Sequence, residues 1–478
     1  MAEARHFIDG RRTAGGPVRE SLNPATGAVL GTFADGGAAE ADAALTAATR
    51  AFASGWAHDR ELRARVLFEI ADELERRRDE VVLALARENG KVLGEAAFEV
   101  GLAIPKLRYY AGLALSDLGG AAETRPGLYS FSLRQPIGVA AVIVPWNSPV
   151  VLAIRSFAPA LAAGCTVAMK LPGQTGVLNG LLLDIIAAAP SLPSGVLNAF
   201  TESGNEGAPL LVTDPRAGVI SYTGSTAVGK AIMRQAADRL VPVSLELGGK
   251  SPMVVFDDAD LEAAVPVLTR GITTFAGQFC MAGSRILVQR GVADELRERL
   301  AKSLTAVRVG PGDDPASDVG PMIDHSAVER VGHLVEAALE YATPIVRGGA
   351  PEDPELAGGA YFRPALLEVD RPDVPLVQQE TFGPVATFEV FDDEDHAVTL
   401  ANATDYGLAA SVWSRDVDRP LRVARRIDAG TVWTNTWGVV NDSFEEGGFK
   451  HSGVGRLNGR RALEEFQEIK HLVHAPGR

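Results

Sequence analysis

Short apolar runs and helical periodicities alternate along most of the chain. Val139–Val144, Thr166–Lys170, Val196–Phe200, Val219–Tyr222 and Met253–Phe256 are rich in Val, Ile or Phe and bounded by Gly or Pro, so they predict strands. Leu62–Glu88 places Val66, Ile70, Leu74, Val81 and Leu85 at helical spacing with charges between them, which predicts an amphipathic helical region. Ile286–Gln289, Ala365–Val369, Val385–Phe391 and Thr431–Trp433 predict a second set of strands. Gly310–Pro315 and Gly348–Pro354 read as surface loops. This alternation predicts an α/β fold with largely parallel sheets. Two lobes of that class leave a cleft, where small-molecule sites concentrate.

The length of 478 residues and a hydrophobic content of 46% allow a large core and more than one domain. Asp and Glu number 61 against 46 Lys and Arg, a formal net charge of −15. An acidic chain without a basic cluster argues against nucleic acid or an anionic membrane as partner. The apolar stretches are broken by Gly, Pro or charge before they could span a bilayer. The N-terminal Met-Ala-Glu-Ala-Arg-His lacks the apolar run of a secretory signal. Two cysteines, Cys165 and Cys280, exclude a disulfide framework and point to a reducing, cytoplasmic setting. Scattered histidines, with no His-Glu-x-x-His or Cys-x-x-Cys, argue against a metal site.

Several local motifs carry possible chemistry. Tyr222-Thr-Gly-Ser-Thr-Ala-Val-Gly229-Lys follows a strand and opens a helix, whose free N–H groups suit a phosphate. An ordinary turn with Ser225 as N-cap is the local alternative. The same segment approaches a P-loop, but Ala231 lacks the hydroxyl that holds magnesium. Cys280, within Gly277-Gln-Phe-Cys-Met-Ala-Gly283, is either a nucleophile on a tight turn or an inert thiol. Cys165 reads as inert. Glu246, in Leu245-Glu-Leu-Gly-Gly-Lys250, is either a partly buried base or one half of an ion pair. Pro145-Trp-Asn-Ser-Pro149 is a rigid turn that could aim the Asn147 amide into a cleft.

Taken together these segments resemble the aldehyde dehydrogenase superfamily in order and spacing. Pro145-Trp-Asn, Met169-Lys, Thr223-Gly-Ser-Thr, Glu246-Leu-Gly-Gly-Lys, Gly277-Gln-Phe-Cys, Glu380-Thr-Phe-Gly-Pro and Gly447-Gly-Phe-Lys-His-Ser-Gly carry the likeness. Gly320-Pro-Met-Ile-Asp and Tyr406-Gly-Leu-Ala-Ala extend it. The resemblance implies that Cys280 attacks an aldehyde, that Asn147 binds the oxyanion and that Glu246 activates water to hydrolyse a thioester. It also implies a cofactor, NAD or NADP, held by Trp146, Lys170, Gly204, Gly224, Ser225, Gly229, Leu247, Glu380 and Phe382. Lys170 would meet the adenosine ribose, and Glu380 and Phe382 the nicotinamide ribose. Members that acylate coenzyme A generally lack the equivalent of Glu246, so a free acid is the implied product.

The chain departs from the family pattern at several places. Gly173 stands where Glu is frequent, which opens the choice between NAD and NADP, and Glu202 stands where Gly is usual. Glu202 is either a replacement carboxylate near the ribose or a solvated loop residue. Arg155 and Glu446 stand where Trp and Phe are usual, as in some aromatic-aldehyde members for Arg155, and suggest an ion pair in the substrate tunnel. Leu152, Phe279, Met281 and Val440 complete the implied tunnel. An aromatic or bulky aldehyde is expected, with a carboxylate-bearing semialdehyde as alternative. Leu457 replaces a glutamate that some members use beside the water path.

The implied subunit has a Rossmann-type cofactor-binding domain over 1–117 and 137–248, an α/β catalytic domain over 249–450, and a small β oligomerisation element over 118–136 and 451–478. That element, with a final strand near Glu468–Val473, implies a homodimer or homotetramer. A coenzyme A-acylating dehydrogenase, a P-loop NTPase and a catalytically silent binding protein are the rival readings.

Overall fold

The apolar runs of the N-terminal half form the parallel centre of one sheet. The computed structural model describes residues 3–116 and 118–477. Met1, Ala2, Asp117 and Arg478, at the margins of the expected divisions and signal segment, lie outside the described residues. Across this sheet the strands run Arg11–Thr13, His6–Ile8, Leu197–Glu202, Thr166–Pro172, Val139–Ile143, Ala217–Thr223, Val243–Glu246 and Gly453–Val454. The five from Leu197–Glu202 to Val243–Glu246 are mutually parallel. Chain order reverses between Val139–Ile143 and Ala217–Thr223, so this is a doubly wound sheet with its switch point there. Val139–Ile143 is buried throughout, which explains its unbroken apolar run.

The predicted helical stretch Leu62–Glu88 is three pieces, Arg60–Arg76, Arg78–Ala84 and a π turn at Leu85–Asn89. All five of its periodic apolar residues are buried in the first core. Gly90 ends the π turn in a left-handed conformation, and Leu93–Ser116 follows.

The second sheet runs Thr343–Val346, Ala365–Glu368, Val385–Phe391, Arg285–Gln289, Pro252–Val255, Ala409–Trp413 and Thr431–Thr434. Only its first pair is antiparallel. A third sheet joins the hairpin Gly120–Arg125 and Leu128–Pro136 to Gln467–His474. Gly453–Val454 pairs with Val243–Glu246, and Ala462, Leu463 and Phe466 pack into the first core. Residues 453–466 therefore belong with the first sheet, and the hairpin gains only the last strand.

One buried ion pair ties the strand after Cys280 to its neighbour. Arg285 donates from Nε to Glu389 Oε1 at 2.8 Å and from Nη2 to Oε2 at 2.6 Å, with a further bond to the Leu400 carbonyl. Removing one partner would leave a buried charge alone. Arg285→Met should cost about 3–5 kcal/mol of stability, read from the midpoint of urea unfolding.

Candidate active site

The strand Val139–Ile143 leads into Pro145-Trp-Asn-Ser148, and helix Pro149–Ala163 starts immediately after. The turn is held from behind by a buried polar group on the chain leading into Leu93–Ser116. Asn89 Nδ2 donates to the Trp146 carbonyl at 2.7 Å, and Lys91 Nζ donates to Asn89 Oδ1 and to the Asn147 carbonyl. Lys91 also lies 3.1 Å from Glu99, whose Oε1 accepts from the N–H groups of Val150 and Val151. Glu99 thus caps the helix that follows Asn147. The Asn147 amide, nearly buried, donates one N–H to the Gln278 carbonyl at 3.1 Å. An amide nitrogen has two N–H groups, so one remains for another acceptor.

Cys280 sits on the loop between helix Leu261–Thr273 and strand Arg285–Gln289. Phe275, Ala276 and Gly277 are all left-handed, with φ of 55°, 52° and 70°. Such a turn costs about 1–3 kcal/mol for each residue that carries a side chain. Glu95 accepts from the Phe275 N–H at 2.8 Å and helps hold it. A Cβ at Gly277 would overlap the Gly383 carbonyl, so only glycine lets these two loops meet. Cys280 is half-buried, and burial pushes its thiol up to about 12, with Arg155 opposing and Glu380, Glu246 and Glu446 adding to the rise. Cys165, by contrast, is fully buried on Phe466 and lines neither cavity that reaches Cys280.

Glu246 ends the strand beside Thr223, its register partner. Burial pushes its carboxyl up to about 8; Arg155 and Arg456 oppose the rise and Glu446 adds to it. Glu246 Oε1 is buried with no hydrogen-bond partner among the described residues. A carboxylate in that state is poised to take a proton near neutral pH.

Two cavities meet at Cys280, Asn147 and Leu152. The larger, about 480 Å³, opens over the switch point of the first sheet. Trp146, Gly224, Ser225, Leu247, Glu380 and Phe382 line it, together with Glu246. Lys170, Gly204 and Gly229 do not; Gly229 lies under Leu247, where a Cβ would overlap the leucine. Gln174, Ile323, Asp324, Ser326, Ala327 and Arg330 line it too, although sequence reasoning missed them as site residues. The Gly320-Pro-Met-Ile-Asp segment was their one signal.

This cleft suits a dinucleotide. Helix Thr226–Ala237 presents its N-terminus at Gly224–Ser225, with the Ser225 hydroxyl accepting from Val228 N–H. Glu380 Oε1 accepts from Gly249 N–H at 3.2 Å, and burial pushes the carboxyl up to about 7. Arg330 donates to the carbonyls of Thr381 and Phe382 and fixes Phe382, which is left-handed and stands edge-on to Trp146 at 5.5 Å. Glu202 is not a solvated loop residue. It is buried, and its carboxylate accepts from the N–H groups of Glu206, Gly207 and Ala208 at the start of helix Gly207–Thr213.

The smaller cavity, about 60 Å³, is lined by Leu152, Arg155, Phe279, Met281, Val440 and Glu446. Phe98, Glu99, Leu102, Lys106 and Phe275 also reach it, and none was singled out from the sequence. Arg155 and Glu446 pair at 2.8 Å. Lys106 is buried and bonded to Asp442 at 2.5 Å and to Asn458. Among the described residues, no three His, Cys, Asp or Glu side chains gather as a metal set, and no helix is long and apolar enough to cross a membrane.

A doubly wound sheet whose switch point faces a thiol on a second sheet is the layout of a dinucleotide-dependent enzyme that works through a cysteine. Residues 12–472 match the aldehyde dehydrogenase family. The chain belongs to that family, whose members oxidise aldehydes with NAD or NADP. It is 37% identical over 472 residues to a betaine aldehyde dehydrogenase of Bacillus subtilis, covering 98% of this chain and 96% of that one. It is 36% identical to the 2-hydroxymuconic semialdehyde dehydrogenase of a Pseudomonas species, covering 99% of each. Betaine aldehyde dehydrogenase from Staphylococcus aureus, crystallised with NAD+, superposes with a TM-score of 0.96 at 34% identity, over 99% of this chain and 95% of that one.

Lys91→Met would remove the cation that ties Asn89, Asn147 and Glu99 together. Turnover should fall by roughly 10²-fold, as expected for a small displacement of a catalytic group, and the unfolding temperature should drop. Steady-state rates and calorimetry check this.

Proposed function

We propose that this protein oxidises an aldehyde to the free carboxylic acid, with NAD+ or NADP+, through a thioester on Cys280. The observation that carries the reading is the meeting of a dinucleotide-shaped cleft and an apolar cavity at one thiol. In this cycle the Cys280 thiol gives up its proton to solvent as its sulfur attacks the aldehyde carbon, and the carbonyl oxygen gains negative charge. The second Asn147 N–H and the Cys280 backbone N–H receive that charge, donors worth about 10²–10³ in rate each. A bound NAD+ or NADP+ would supply the acceptor for the hydride on that carbon. The carbon is then an acyl group on sulfur. Glu246 takes a proton from water, the water oxygen bonds to the acyl carbon, and the sulfur leaves. A protonated Glu246 cannot do this, so deacylation should strengthen as pH rises through about 8.

For the cofactor, Gly224, Ser225 and the helix behind them would take the pyrophosphate, Glu380 the nicotinamide ribose, with Trp146, Leu247 and Phe382 as walls. Lys170, Gly204 and Gly229 would act from behind the cleft. Gly173 supplies no carboxylate, a Cβ there would overlap the Ser203 hydroxyl, and Glu202 is taken up by a helix. The carboxylates that act on Lys170, Glu202 and Asp35, are both held by backbone N–H groups, so both cofactors should serve.

For the substrate, both tunnel cations are already neutralised, Arg155 by Glu446 and Lys106 by Asp442. The remaining wall of Leu152, Phe279, Met281 and Val440 favours a neutral aldehyde with an apolar, aromatic or bulky body. The two cations are also what supports the second reading, a carboxylate-bearing semialdehyde. Gln467–His474 leaves one edge unpaired among the described residues, with Ile469 and Val473 exposed. It would pair in a homodimer or homotetramer.

The test is reduced-cofactor absorbance across aromatic, aliphatic and carboxylate-bearing aldehydes, with each cofactor. Aromatic aldehydes should exceed semialdehydes in kcat/KM by about tenfold or more, the scale of one buried methylene. Cys280→Ala should abolish the signal, and Glu246→Gln should lower turnover by about 10²–10⁴. Aldehyde-dependent reduction by Cys280→Ala would sink the proposal.

A further inference from the structure

The Arg155 guanidinium is buried between the two cavities. Nη1 donates to Glu446 Oε1 at 2.8 Å and Nη2 to Thr223 Oγ1 at 3.3 Å. Thr223 is the strand partner of Glu246, so the second bond brings the cation to the end of the strand beside the one that ends in Glu246. Glu446 reaches the same place from another loop. It is fixed by two backbone bonds with Leu457, each at 2.8 Å, and a Cβ on the next residue, Gly447, would lie 3.0 Å from Glu246 Oε1. Yet Glu246 Oε1 has no partner among the described residues, while the guanidinium gives one N–H to Glu446 and one to Thr223 and leaves its Nε–H unpartnered. A buried cation thus stands beside an unpartnered carboxylate oxygen without pairing with it.

The other charged or titratable groups around Glu246 are few. Arg456 donates to the Gly455 carbonyl at 2.6 Å and lies over the Phe449 ring. Cys280 shares the cavity wall with Glu246, and Glu380 faces Cys280. Burial itself acts most strongly on Glu246, and among the charges Arg155 and Glu446 act more than Arg456.

Resting on the proposal that Glu246 is the base, we infer that Glu446 is a positioning residue: by holding Arg155 it keeps Glu246 out of an ion pair and free to accept a proton from water. Each replacement then has its own sign. Glu446→Gln releases the guanidinium, still anchored on helix Pro149–Ala163 and Thr223, to neutralise Glu246. The base then holds its proton less tightly and is weaker. Arg155→Met leaves two buried carboxylates facing each other, and Glu246 holds its proton more tightly. Replacing both by apolar residues removes the two opposed effects together, and apolar substitutes for a buried pair are often neutral for folding. The direction in which each group acts on Glu246, Arg155 downward and Glu446 upward, agrees with this.

The test is infrared difference spectroscopy of the cofactor-free full-length protein across pH, following the carboxylic-acid C=O band that Glu246→Gln removes. Glu446→Gln should lower its midpoint by about one pH unit or more, and Arg155→Met should raise it by a similar amount. The double variant R155M/E446L should fall between the two. Should Glu446→Gln not fold, Glu446→Asp, which keeps the charge but withdraws it, should shift the midpoint the same way by less. Midpoints that stay in place, or that move in one direction in both single variants, overturn the inference. So does a titrating band that survives Glu246→Gln. If Glu246→Gln loses turnover while the midpoints do not move, only this inference fails. If Glu246→Gln turns over like the parent, the reading of Glu246 as base fails with it.

Discussion

Burial of charge is the constraint on which this site depends. A thiol and several carboxylates are gathered where little solvent reaches them, and desolvation favours their neutral forms. Cys280 is pushed up to about 12, Glu246 to about 8 and Glu380 to about 7. Among these groups Arg155 is the cation that opposes the rise at both Cys280 and Glu246. Its hydrogen bonds to Glu446 and Thr223 decide how much of that charge the base feels.

The rest of the structure holds these groups still. The first sheet delivers Asn147, Gly224 and Glu246 from the ends of three adjacent strands. The second delivers Cys280 on a turn that is left-handed at three successive residues. The Lys91–Glu99 pair joins the two halves, because its chain segment touches the Asn147 turn while Glu95 holds the Phe275 N–H. A strained turn persists only where its surroundings over-determine it, and here they do.

Strand positions were legible because buried parallel strands are continuous apolar runs between Gly and Pro. Val385–Phe391 is read with its observed ends, and Thr431–Trp433 falls one residue short. Asn147, Glu246 and Cys280 were singled out by the order and spacing of their motifs along the whole chain, since each local pattern alone also fits a rigid turn, an ion pair or an inert thiol. Lys91, Glu99 and Lys106 were not, since a charged residue in a helical segment ordinarily faces water. Their signal was phase: Glu99 and Lys106 lie seven residues apart among Ala96, Ala103 and Tyr110, on the buried face. Arg330 was illegible for a different reason. It acts on the carbonyls of Thr381 and Phe382, far along the chain, and no local pattern announces such a bond. Glu202 looked like a loop residue, and only the helix folded onto its carboxylate reveals its structural use.

The central claim is that the oxidised carbon is held on the Cys280 sulfur before water releases it. Trapping that species tests it most directly. Glu246→Gln protein would be mixed with an aromatic aldehyde and NAD+, quenched in acid, digested, and the Cys280 peptide weighed by mass spectrometry. The account predicts one acyl group on Cys280, formed together with one equivalent of reduced cofactor. Reduced cofactor accumulating while the Cys280 peptide stays unmodified throughout the time course would contradict it.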